Sequence, residues 1–149
     1  MRVGTGDRPA VSVDVKRNEA RLHAPLVLER LATATNSTDA ISAAKVRSYY
    51  GKVVFLTHAD AVAVTLPDPG FLEKAGTQVI FVLNGDNSLA VTFAPTTADT
   101  LVAPNNATAD SVTFAAGQRI GAVVMFLSDG TKWHAINLSN GCTMTVTDT

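Results

Sequence analysis

The chain carries a single cysteine, Cys142, in 149 residues. No intrachain disulfide can form, which excludes a secreted disulfide scaffold. Charge is scarce as well: 17% of residues are charged, against roughly a quarter in an ordinary domain. A surface so poor in charge is either covered by copies of itself or a partner, or is a bland Ala/Thr/Ser β surface. Aromatic residues make up only 6%, with one Trp. No apolar run approaches the roughly 18 residues that span a bilayer, so no membrane contact is expected. The opening Met-Arg-Val-Gly-Thr-Gly-Asp lacks the apolar stretch of a signal peptide, and production in a reducing cytoplasm is expected.

Motifs of catalysis and metal binding are missing too. His23, His58 and His134 stand in no HxH, HExxH or CxxC context, and Cys142 has no Cys neighbour. No metal site and no cofactor are therefore expected. There is no Gly-x-Ser-x-Gly elbow. Gly4-Thr5-Gly6 is too short for a phosphate loop and follows no strand. Asp68 between prolines and Asp129 at a hairpin tip read as turn residues, as do most acids beyond Val53. Two carboxylates brought together only in space are invisible at this level, so a glycosidase-like pair stays open. No catalytic residue is assigned, and a non-enzyme is expected.

What the chain does have is strand punctuation. Val53-Val54-Phe55-Leu56, Ala61 to Leu66, Val79 to Leu83 and Leu89 to Phe93 are short apolar or alternating runs. They read as two strand pairs, cut by Pro67-Asp68-Pro69-Gly70 and by Asn84-Gly85. A long loop is expected over 99–110, with a short strand at Thr100-Leu101-Val102. Strands are expected at Ser111 to Phe114, at Ile120 to Leu127 and, after the Ser128-Asp129-Gly130 turn, at Lys132 to Asn137. Cys142 to Thr147 either closes the sheet or hangs free. The spacing predicts an all-β fold, a β-sandwich or jelly-roll-like domain over 49–149. Phe55, Phe81, Phe126 and Trp133 are the expected core or subunit-boundary residues. Trp133 shares a strand face with Ala135, opposite His134 and Ile136. Its alternative is to stack on a sugar.

Residues 1–48 show no comparable pattern and are expected to form an extended N-terminal arm and linker. Val11, Val13 and Val15 alternate as in a strand that has no nearby partner in sequence. Thr38 or Asp39 is the expected cap of a short helix through Ile41, Ala44 and Val46. Charge divides along the same line. Up to Lys52 there are nine bases against five acids; from Val53 there are three bases against eight acids. The basic arm suits an acidic protein surface. Its bases are interleaved with acids and few aromatics, so nucleic acid is not expected as a partner.

From Tyr49 to Asn137 the chain resembles small β-rich virion proteins of tailed phages. The residues that carry the likeness are Thr65-Leu66-Pro67, Gly76-Thr77-Gln78-Val79-Ile80-Phe81-Val82, Asn84-Gly85, Ala115-Ala116-Gly117-Gln118-Arg119-Ile120 and Leu127-Ser128-Asp129-Gly130-Thr131-Lys132-Trp133. With the long arm, the pattern is similar to capsid decoration, or cement, proteins. The resemblance implies a structural protein on the capsid exterior, a homotrimer, and major capsid protein subunits as partners. Val11, Val13, Val15, Arg17 and Arg21 are then the candidate capsid contacts. A tail-fibre or receptor- or glycan-binding β domain is the first alternative, and a small β-barrel enzyme the second.

Overall fold

Alternating side chains and Gly/Pro punctuation drive the described residues mainly into strands, with one short helix. The structure, a computed structural model, describes residues 11–14, 19–22, 32–34, 40–57, 61–70, 73–84 and 90–149. Much of the expected arm, including Val15 and Arg17, lies outside the described residues.

The first two strands, β1 (Val11–Asp14) and β2 (Glu19–Leu22), form a separate antiparallel pair. Val11 stands opposite Leu22 and Ser12 opposite Arg21. This corrects the expectation that the strand at Val11 has no neighbour close in sequence. Its partner, Glu19-Ala20-Arg21-Leu22, carries no local strand signal.

Two packed mixed sheets make up the rest, an all-β sandwich as expected. The chain runs through β3 (Ala32–Ala34), β4 (Ala40–Ile41), α1 (Ala43–Arg47), β5 (Val53–Leu56), β6 (Val62–Leu66), β7 (Gln78–Leu83) and β8 (Val91–Pro95). It continues with β9 (Leu101–Ala103), β10 (Asn106–Ala109), β11 (Ser111–Phe114), β12 (Val123–Ser128), β13 (Trp133–Asn137) and β14 (Met144–Thr147). The seven-stranded sheet has the order β10-β9-β13-β12-β7-β5-β3, and the five-stranded sheet β14-β11-β8-β6-β4.

From β3 to β8 every strand crosses to the opposite sheet. β3, β5 and β7 lie parallel in one sheet, and β4, β6 and β8 parallel in the other. The two strand pairs expected over 53–93 therefore do not form. Pro and Gly mark where the chain reverses, but not whether it returns to the same sheet or to the facing one. Beyond β8 the additions are mostly antiparallel: β11 on β8, β12 on β7, β13 on β12 and β14 on β11.

Inward residues alternate with outward ones along the strands. Phe81, Phe93 and Phe126 meet at ring-centroid distances of 5.0 to 6.1 Å between the sheets. Phe81, Phe126 and Trp133 are fully buried, as expected of core residues. Phe55 is not in the core: Val54 and Leu56 point inward, and Phe55 lies half-buried on the outer face.

Packing begins ahead of Tyr49. Ile41 and Val46 are buried in the core cluster. Ser42, not Thr38 or Asp39, caps α1, its side chain accepting from the Lys45 N–H at 3.3 Å. The expected loop over 99–110 contains the β9–β10 hairpin, turned at Asn105 with φ of 62°, a conformation Asn tolerates. The central strand starts at Val123 rather than Ile120, which sits exposed in a turn.

Candidate assembly face and its flanking polar groups

A two-layer sandwich has two inner and two outer faces. Soluble proteins put polar side chains on the outer ones. Here the outer faces differ. On the five-stranded sheet the outward positions are Ala40, Ala63, Thr65, Thr92, Ala94, Ser111, Thr113, Thr145 and Thr147. These are small or hydroxylated, and the Thr92 and Thr113 hydroxyls bond across the strands at 3.0 Å.

On the seven-stranded sheet the outward positions of β5, β7, β9, β12 and β13 are mostly apolar. The register aligns Val53, Ile80, Met125 and Ile136 in one row across four strands. Phe55, Val82 and Val123 form a second row. A third runs Gln78, Leu127, His134 and Val102. Along β5, β7, β9, β12 and β13, no outward residue is Asp, Glu, Lys or Arg.

A shallow hollow of about 440 Å³ crosses this face at β9 and β13, with Val102, Pro104, Leu127, His134, Ile136 and Asn137 on its walls. Its two polar side chains are already committed. The Asn137 side-chain amide donates to the Cys142 carbonyl at 2.9 Å, and its oxygen accepts from Ser139. His134 Nε2 lies 2.8 Å from Asp129 Oδ2. A small-molecule site wants convergent polar groups turned inward, and this hollow offers apolar walls.

Asp129 is the turn residue that the sequence indicated. Its Oδ1 accepts from the N–H groups of Thr131 and Lys132 and from the Thr131 hydroxyl. The His134 contact first, and these N–H bonds next, hold its carboxyl well below the usual carboxylate range.

A second polar group, beside Trp133, was missed. Glu73 is only 2% exposed. Its Oε1 accepts from Arg47 Nε at 2.8 Å and from the Tyr50 hydroxyl at 2.7 Å. The Ser128 hydroxyl donates to the Glu73 carbonyl at 2.7 Å. Burial, and then the bond to Glu73, push the Tyr50 phenol far up. The bond to Glu73 likewise raises the Arg47 guanidinium. These groups tie the end of α1, the segment before β7 and the end of β12 together. Arg47 and Tyr50 stand three residues apart across the end of a helix; that spacing was a legible hint, but the partner acid was not.

Trp133 has no exposed face. Its indole N–H donates to the Pro67 carbonyl at 2.6 Å, and its ring lies 6.1 Å from that of Tyr50. The sugar-stacking alternative is thereby overturned. Cys142 is half-buried, its thiol 3.7 Å from the Ile120 carbonyl. Of the arm candidates, Val11 and Val13 lie on β1 and Arg21 on β2; Val15 and Arg17 fall outside the described residues, as do His23 and His58. Among the described residues no three His, Cys, Asp or Glu side chains group as metal ligands. Among them, too, no helix is long and apolar enough to cross a membrane. No family model, curated protein or solved structure matches this chain.

Proposed function

We propose that this chain is a structural, non-enzymatic protein of a tailed-phage virion, made in the host cytoplasm and placed on the capsid exterior as a homotrimeric decoration protein. The observation that carries the reading is the apolar outer face of the seven-stranded sheet, a surface made for contact with protein. Two of its acids have structural duties: Asp129 in a turn, and Glu73 in a buried tie. Neither nucleic acid nor membrane is a partner in this reading.

The mechanism is mechanical. Each copy bridges neighbouring major capsid protein subunits, so release of one subunit must first break the added contacts. A ligand that binds only the assembled shell stabilises that shell by mass action. Several arms on one oligomer add avidity without strong single contacts.

One observation favours a second reading, a tail-fibre or receptor-binding domain. Strands β3 to β8 add alternately and in parallel to two sheets, like rungs. In a fibre the rungs would continue a shaft from the N-terminal side. Antibody labelling of purified particles tests both. Label spread over the shell supports decoration, label confined to the tail or a fibre tip supports the second reading, and particles lacking the chain contradict both.

A further inference from the structure

We infer that the outer face of the seven-stranded sheet is the interface between copies of this chain, with a second copy as its occupant. The inference rests on the structural-protein reading and names the surface that assembly uses.

Three arguments converge. The first is the contrast within the molecule. Both outer faces occupy equivalent places in the sandwich. One is Ala, Ser and Thr, and the other presents Phe55, Ile80, Val82, Met125, Leu127 and Ile136. β-propensity alone does not require this, since Thr serves in strands as well as Val. The second is charge. The apolar face has no outward Asp, Glu, Lys or Arg along five strands, so one copy meets another without like-charge repulsion. A charge-poor, aliphatic centre is the composition of homo-oligomer interfaces rather than transient ones. The third is size. Five strands at about 4.8 Å spacing and about five residues of 3.3 Å each span on the order of 400 Å² of flat area. Side-chain relief adds to this flat area, which is a sizeable part of the roughly 800 Å² that each partner gives to a standard interface.

The test is solution mass by light scattering at micromolar concentration, on the full chain. The wild type is expected at a multiple of 15.6 kDa. Met125→Glu, at the middle of the face, is expected at the monomer mass with its melting transition retained. Ala63→Glu, on the opposite outer face, is expected to keep the wild-type mass. A monomeric wild type, an unchanged mass for Met125→Glu, or equal dissociation by Ala63→Glu overturns the inference. Should Met125→Glu not fold, Met125→Cys in a Cys142→Ser background decides. A short bismaleimide cross-links it between subunits if the face is the interface, and leaves it uncross-linked if it is not. An oligomer that ignores capsids contradicts only the decoration reading; a monomer that binds them contradicts only this interface.

Discussion

The Glu73 carboxylate is the residue on which one end of the sandwich depends. It is buried, and two donors from the α1 end converge on one of its oxygens. Removing a partner from a buried hydrogen bond to a charged group costs about 1–3 kcal/mol. Glu73→Gln is therefore expected to lower unfolding free energy by roughly that amount, while Glu73→Gln combined with Tyr50→Phe costs less than the two changes summed. Denaturant titration checks both, and an unmoved midpoint would show that the tie is idle. Asp129 sets a pH dependence. Its folded-state pKa lies below its unfolded value near 3.9. Its contribution is therefore complete above about pH 4 and is lost as pH falls through the folded value. Asp129→Asn should flatten the acid limb of the stability curve; an acid limb identical to wild type contradicts this. Both groups illustrate what was legible. Asp129 announces itself by the turn around it, whereas Glu73 finds its partners 23 and 26 residues away. Phe55 could be read only as core or subunit boundary for a related reason. Val53-Val54-Phe55-Leu56 is apolar at every position, so no alternation marks the inner face, and that ambiguity is itself the trace of the apolar outer face.

At the scale of elements, strands were legible and their pairing was not. Val62 to Leu66 and Gln78 to Leu83 formed where period-two patterning and turn residues placed them. Their parallel partners were hidden because crossing between sheets and folding into a hairpin need the same punctuation. β10 was missed because Asn106-Ala107-Thr108-Ala109 has loop composition and gains its place by pairing with β9. The short elements before Tyr49 were assigned to the arm for want of local signal, yet Ile41 and Val46 are core residues. Fully burying such a side chain is worth about 1.5–3 kcal/mol. A chain of residues 49–149 is accordingly expected to be at least about 3 kcal/mol less stable than one of residues 40–149, by thermal or denaturant unfolding. Equal stability would return the boundary to residue 49.

At the scale of the molecule, a charge-poor sandwich with one apolar face follows an N-terminal stretch that carries six bases and five acids up to Asp39. The division of labour proposed for them separates attachment from self-association. Exposed ion pairs contribute only about 0–1 kcal/mol each and are screened over roughly 8–10 Å at moderate salt. Charge in the arm should therefore steer docking more than hold it. Raising salt is expected to slow binding to capsids while leaving decorated particles intact, followed by light scattering on mixing and by sedimentation of preformed particles. Stripping by salt alone would show that the charges hold the complex. On the proposed reading, the most direct measurement is co-sedimentation of the purified full chain, and of a chain lacking residues 1–20, with empty phage capsids from the same source. The full chain is expected to pellet with the capsids to a saturating copy number and the shortened chain to stay in the supernatant; a full chain that stays in the supernatant at all concentrations would contradict the account.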